Sequence, residues 1–193
     1  MMPTLSTPRL CLTPHELTDA EAMNRWAVDP ELCHYSDDAP TGPETFAETL
    51  QYLERIIGQK DDSIRRWAVR RVDDGQLIGY CMAAFIDRHN RRCKIGLTIG
   101  EKTAWGKGYG SEVLEAMIRH CFETLDMNRI GAEIYAFNAR SIRLFERAGF
   151  QREGLIRQSV LKNGRYEDEI LYGLMREEWL PGGDPPGDSE SGS

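Results

Sequence analysis

Two short stretches carry residue types and spacings that point to chemistry. The first is WGKGYGSE, Trp105 to Glu112, where Gly106, Gly108 and Gly110 alternate with Lys107 and Tyr109 and lead into Ser111. Glycine at every second position lets backbone N–H groups approach a ligand closely, and Val113, Leu114, Met117 and Ile118 then recur at helical spacing. A helix N-terminus offers unsatisfied N–H groups and the positive end of its dipole, so the turn suits an anion such as a phosphate, with Lys107 adding a cation. The competing reading is that the glycines only turn the chain. The second stretch is NARSIRLFERAGF. Asn138 is a natural N-cap with Ser141 in the first turn, Gly149 suits the left-handed position past the helix end, and Phe150 can pack back onto Phe145. Taken alone, that accounts for a helix and not for a reaction.

Two nucleotide-binding patterns fail on detail. A P-loop ends in Gly-Lys-Ser/Thr after four intervening residues, which this stretch lacks. A dinucleotide fingerprint needs a third glycine where Ser111 stands and an acid at the tip of the next strand, which here reads Ala136-Phe137-Asn138.

The elements that must position these stretches follow from the hydrophobic period. RLCLTPH alternates as a short strand, and a helix capped by Thr18 runs through Trp26 and Val28 to a stop near Asp29-Pro30. TGPETFAETLQYLERIIG reads as a second helix, with Pro43 near its start, a stripe of Phe46, Leu50, Leu53, Ile56 and Ile57, and Gly58 at its end. IRRWAVRRV and QLIGYCMAAFI are strands joined by a hairpin turn at Asp73-Asp74-Gly75, and CKIGLTIG is a third. A helix then covers Ser111 to about Leu125, RIGAEIYAF is a strand, a short helix follows, and two strand-like segments broken at Asn163-Gly164 close the pattern. The predicted order is β-α-α-β-β-β-α-β-α-β-β, an α/β (α+β) chain with a mixed, mostly antiparallel sheet flanked by helices.

The bulk properties narrow the function class. The 193 residues suit one domain, and the ratio of 24 basic to 31 acidic side chains (net −7) argues against direct nucleic acid binding. No apolar run reaches the roughly 20 residues that cross a bilayer, and MMPTLSTPRL lacks the layout of a secretion signal, so a cytoplasmic location without membrane attachment is expected. Cys11, Cys33, Cys81, Cys93 and Cys121 are odd in number and form no CxxC pair, so neither a metal nor a disulfide framework is expected. His15 and His120 receive no functional role. The Gly/Pro/Ser-rich tail, residues 181–193 with Asp184, Asp188 and Glu190, reads as disordered.

Together the two stretches resemble the GNAT N-acetyltransferases. The family's phosphate loop, Q/R-x-x-G-x-G/A, maps onto Trp105 to Gly110. Its later motif, N-x-x-S-x-x-L-Y-E-K-x-G-F, maps onto Asn138 to Phe150 with Phe145 for Tyr and Arg147 for Lys. The closing segment GLIRQSVLKNGRYEDEILYGLMREEW looks like the branch that contains ribosomal-protein N-terminal alanine acetyltransferases, and the resemblance spans residues 7–178.

The resemblance implies acetyl-CoA as cosubstrate, held between splayed parallel strands CKIGLTIG and RIGAEIYAF. Leu97, Thr98 and Ile99 would pair with the pantetheine arm as an added strand does. The N–H groups of Gly106, Lys107, Gly108, Tyr109, Gly110 and Ser111 would take the pyrophosphate, with Trp105 tolerated because the loop works through backbone donors. Asn138 would lie near the sulfur and Phe145 beside the thioester. Direct attack by a primary amine then needs a base, an oxyanion donor near Ile99 and a proton for the leaving thiolate. Phe145 cannot donate that proton, so Ser141 is the nearest substitute, with helix capping as its other role. Lys94 stands where close relatives often carry Glu, leaving Glu133 acting through a water, Glu101, or positioning alone.

The acceptor is a protein N-terminus or a small amine, and Trp26, Trp67, Tyr35, Tyr166, Asp37 and Asp38 are its candidate neighbours, with core packing or solvation as their alternative. A CoA-binding module without turnover is the competing class. A monomer and a homodimer both fit.

Overall fold

The structure, a computed structural model, describes residues 2–35 and 45–179. Eight strands form one open sheet: β1 (Leu5–Ser6), β2 (Leu10–Thr13), β3 (Arg65–Arg71), β4 (Leu77–Asp87), β5 (Arg92–Ile99), β6 (Arg129–Tyr135), β7 (Gln151–Lys162) and β8 (Arg165–Met175). Their order across the sheet is β1-β2-β3-β4-β5-β6-β8-β7. Strands β5 and β6 run parallel, and the other neighbours are antiparallel. The helices are α1 (Ala20–Ala27), α2 (Pro30–Tyr35), α3 (Phe46–Gly58), α4 (Tyr109–Arg119) and α5 (Ala139–Arg147).

Alternation along the strands sorts the two faces. Trp67, Val69, Cys93, Ile95, Ile130 and Ala132 point into one core, which α4 closes with Val113, Leu114, Met117 and Ile118. α5 joins that core through Phe145, with Phe150 beyond its end. On the opposite face α1 and α2 cover one half of the sheet through Trp26 and Leu32, packed against Ala68 and Leu77. Leu114 is fully buried, so truncation to Ala costs about 2–5 kcal/mol.

Several sequence expectations need correcting. Thr18 is not the cap of the first helix. A 3₁₀ turn, Leu17–Asp19, precedes α1, and the Asp19 carboxylate accepts the N–H of Glu16 at 3.0 Å. The first helix does stop just before Asp29-Pro30, as read, but Pro30 also opens a helix that was not expected. Proline fits a first helical position, and the Asp29 carboxylate accepts the N–H groups of Glu31 (3.0 Å) and Leu32 (3.2 Å), which starts α2. β1 had no period to reveal it, because its two residues exist only through pairing with β2.

α3 begins after Thr45, whose hydroxyl and backbone form a capping box with Glu48; Pro43 lies outside the described residues. Its buried side is Thr49 and Leu53, while Phe46 and Ile57 of the expected stripe are exposed. α4 starts at Tyr109, two residues before the expected Ser111, and a π-helical turn, His120–Thr124, extends it. The turns at Gly75 and at Asn163-Gly164 stand as read, the latter with φ of 49° and 77°, as a two-residue hairpin of the primed type requires. The acidic tail, residues 181–193, lies outside the described residues, as do Asp37 and Asp38. Among the described residues no helix is long and apolar enough to cross a membrane.

Candidate active site

The gap at the centre of the sheet follows from its one parallel pairing. β5 and β6 are in register only from Arg92↔Arg129 to Lys94↔Gly131, yet β5 continues to Ile99 and β6 to Tyr135. Beyond Lys94 the strands part. β5 stays on β4, with Thr98 opposite Tyr80 and Ile99 opposite Gly79. A side chain at Gly79 would put Cβ 2.2 Å from the Thr98 carbonyl oxygen, so glycine permits that close approach. The opened edge of β5 (Leu97, Thr98, Ile99), the glycine turn and one face of α5 line a cleft of about 470 Å³.

The turn has the backbone form that suits an anion. Gly106 (φ 74°) and Gly108 (φ 81°) occupy the left-handed region, and Gly108 is the N-cap of α4. The first-turn residues Tyr109, Gly110 and Ser111 therefore present N–H groups that have no partner inside the helix, and all three line the cleft. Lys107 does not line it; its carbonyl accepts a hydrogen bond of 2.9 Å from the Arg9 guanidinium.

Arg9 and Glu112 are functional supports that sequence reasoning missed. Arg9 also lies 4.6 Å from the Tyr109 ring centroid and pairs with Glu112 at 2.6 Å. Burial raises the Glu112 pKa, but donation from the Thr7 hydroxyl and from the Arg9 backbone and guanidinium outweighs it, so the carboxyl is held below its ordinary value. No local signal marks a partnership between residues about a hundred positions apart.

Trp105 is more than a tolerated departure. Its indole N–H donates to the Ile99 carbonyl at 2.7 Å, tying the glycine turn to the end of β5. Its ring lies under the Arg140 guanidinium, 4.3 Å away. Trp26 reinforces the same junction, since a Cβ at Gly100 would lie 2.2 Å from its ring.

α5 divides its residues between the cleft and the core. Asn138 caps it, accepting the Ser141 N–H at 3.1 Å. Arg140, Ser141, Arg143, Leu144 and Arg147 line the cleft. Phe145, expected beside the thioester, instead faces the core, 3 % exposed and edge-on to Phe150 at 5.0 Å. One residue is a 100° step on a helix, so Leu144 takes the cleft wall and Phe145 supports it from behind. The helix ends in a Schellman motif, with Phe150 N–H to the Phe145 carbonyl (3.1 Å) and Gly149 N–H to the Glu146 carbonyl (3.0 Å). Tyr172 pins it to β8 by donating to Glu146 at 2.9 Å; burial, then that hydrogen bond, push the phenol up to about 12.

Glu133 is not in the cleft lining. It sits two residues past the last β5–β6 pair, on the sheet face opposite Ala132 and Ile134, and its carboxylate meets the Lys94 ammonium at 2.5 Å. Glu101 pairs with Arg25 at 3.7 Å. Beside the cleft mouth, residues remote in sequence form an aromatic group: His34 stacks on Phe137 at 4.4 Å, with Tyr35 and Tyr135 at 5.9 and 5.2 Å from the same ring. The β7–β8 tip closes on α2, with Asn163 Nδ2 3.3 Å from His34 Nδ1 and Lys162 donating to the Cys33 carbonyl at 3.4 Å. The other end of α2 is held where Lys102 meets Asp29 (2.7 Å) and Glu31 (2.8 Å). Tyr35 lines the cleft, Trp26 and Trp67 are core, and Tyr166 is exposed. Among the described residues no group of three His, Cys, Asp or Glu is placed to hold a metal ion.

An open mixed sheet whose parallel strands part beside a glycine turn defines the architecture of the acyl-CoA-using transferases. The family model for the acetyltransferase (GNAT) domain matches residues 9–151. An uncharacterized N-acetyltransferase, p20, of Bacillus licheniformis is 33% identical over 182 residues, 92% of this chain and 99% of that protein. The alanine N-acetyltransferase of ribosomal protein uS5 from Escherichia coli is 35% identical over 112 residues, 57% of each chain. Among solved structures, a spermidine N-acetyltransferase from Vibrio cholerae in complex with CoA and spermine superposes with a TM-score of 0.79 at 21% identity, covering 89% of this chain and 98% of that one. The chain belongs to the GNAT acetyltransferase family, and is an N-acetyltransferase.

Proposed function

We propose that this enzyme transfers the acetyl group of acetyl-CoA to a primary amine by direct attack, and that the amine is a protein N-terminus. The observation that carries the first part is the junction of an anion cradle with an unpaired strand edge, Gly106–Ser111 beside Leu97–Ile99, in one cleft. That pairing fits an elongated ligand with a phosphate at one end and amide groups along its arm. Acetyl-CoA supplies an activated acyl group there.

The N–H groups of Gly106 to Ser111 hold the pyrophosphate, and Leu97, Thr98 and Ile99 bind the pantetheine amides as an added strand. The Trp105 indole occupies the Ile99 carbonyl, which leaves the backbone N–H groups of that segment as donors to the developing oxyanion. Glu133, exposed beside the parting strands and paired with Lys94, is the base we assign, taking the ammonium proton through a water. The C–N bond forms as the C–S bond breaks, and the proton that the new amide nitrogen sheds reaches the thiolate through the Ser141 hydroxyl, which takes it up as it gives its own. Ser141 lines the cleft, and its N–H is committed to Asn138. Asn138 then lies near the sulfur with its amide N–H₂ free of the cap. Phe145 shapes the wall through Leu144.

The acceptor rests on the likeness to the uS5 alanine acetyltransferase, a relative whose name specifies an acceptor. Release of free thiol from acetyl-CoA tests both parts, with peptides beginning in Ala or Ser compared against polyamines, amino acids and aminoglycosides. Peptides are expected to turn over fastest. Faster release with a polyamine overturns the acceptor, and tight acetyl-CoA binding without release on any amine overturns the transferase reading in favour of a CoA-binding module.

A further inference from the structure

A second groove, of about 430 Å³, runs between the β1 segment, residues 4–8, and the outer face of α4 with its π turn. It shares no lining residue with the cleft: along α4 the cleft takes Tyr109, Gly110 and Ser111, and the groove takes Glu112, Glu115 and Arg119. His120, the first residue of the π turn, lines the groove and is 5 % exposed. Among the described residues its Nε2 is the buried side-chain nitrogen or oxygen that has no hydrogen-bond partner. Buried polar atoms are nearly always paired, and π turns often mark functional positions.

The interior does not supply the missing partner. The Trp67 ring stands edge-on to the imidazole, 5.3 Å away, but its N–H is committed to the Pro3 carbonyl at 2.8 Å. Burial, and then the charge of Arg65, hold the His120 pKa below its ordinary value. The ring is therefore neutral at neutral pH and keeps one acceptor nitrogen.

The charges around the groove select the kind of donor. Glu112 is matched by Arg9 and Glu115 by Arg119. Glu123, three residues beyond His120 and also in the lining, enters no ion pair among the described residues. An acceptor nitrogen near a spare carboxylate suits a ligand that is both a hydrogen-bond donor and a cation. An alcohol lacks the charge, and a carboxylate or phosphate is repelled. Among the described residues no three His, Cys, Asp or Glu side chains are grouped to hold a metal ion. An ammonium group meets both demands, with charge-assisted hydrogen bonds.

We propose that this groove is a second binding site, for a small organic ammonium ion whose N–H groups bridge the His120 imidazole and the Glu123 carboxylate. The site stands apart from the cleft and does not depend on the acetyl-CoA reading.

Ring-nitrogen NMR of the uniformly labelled full chain at fixed pH tests it, with 1,5-diaminopentane as the probe and 1,5-pentanediol as the uncharged control. The diamine is expected to shift the His120 ring signal saturably, and the diol to leave it in place. Glu123→Gln is expected to weaken the diamine about tenfold, whereas Glu54→Gln, on α3, changes nothing. No saturable shift of His120 leaves that nitrogen to solvent and overturns the site. An equal shift with the diol, or equal weakening in Glu54→Gln and Glu123→Gln, overturns the choice of a cation held by Glu123. A diamine that shifts the His34 signal and leaves His120 untouched binds beside the cleft, which overturns the groove as its site.

Discussion

The two sides of the parted strands are built by different means. On the side we assign to the phosphates the proposed working groups are backbone N–H donors, and side chains hold the backbone in place: Arg9 on the Lys107 carbonyl and Trp105 on the Ile99 carbonyl. On the side we assign to the acceptor the candidate groups are side chains drawn from α2, β5, β6 and the β7–β8 tip, with Lys94 meeting Glu133 and His34 stacking on Phe137. A backbone site tolerates changes of side chain but not of φ. A side-chain site has the opposite sensitivities, and for that reason its specificity can change while the cleft stays the same.

Kinetics separate the two. Glu133→Gln should show the largest effect, a fall in kcat of about a hundredfold with the KM for acetyl-CoA unchanged. An unchanged kcat would remove Glu133 from the proton path and leave positioning as the source of rate. Gly108→Val should give the mirror image, raising the KM for acetyl-CoA about tenfold. A β-branched residue at φ 81° costs at least the ~1–2 kcal/mol of the left-handed region. A rise in acceptor KM alone would contradict the placement of the loop.

Glu112→Gln should act least, raising the acetyl-CoA KM a few-fold as Arg9 loses its ionic partner. The same variant carries a pH signature. The Glu112 pKa is depressed in the fold, so its stabilisation is complete above the ordinary glutamate value and lost as pH falls through the depressed one. Melting temperatures below about pH 4.5 should therefore decline less steeply in Glu112→Gln than in the natural protein, and parallel curves would refute the linkage.

The same contrast explains what could be read in advance. Gly106 and Gly108 announce a backbone conformation that few other residues adopt, and Asn138 with Gly149-Phe150 announces both ends of α5, because caps and turns are local. Arg9 with Glu112 and His34 with Phe137 left no such trace, since only the folded sheet brings them together. Phe145 shows how fine the limit is. Sequence put it in the right helix and the right motif, but a single 100° step sent Leu144 to the cleft and Phe145 to the core. α2 was hidden for a related reason: the stop of α1 read at Asp29-Pro30 is real, but the same Pro30 is the first residue of another helix, which the Asp29 cap starts.

By itself, then, the order of residues determined most of the elements, the glycine turn and the family to which they belong, because each depends on conformational preferences within a few residues. Tertiary structure alone decided where β5 and β6 part, which face of α5 meets the cleft and how Lys94 comes to neutralise Glu133. Those depend on contacts between segments that no local preference encodes.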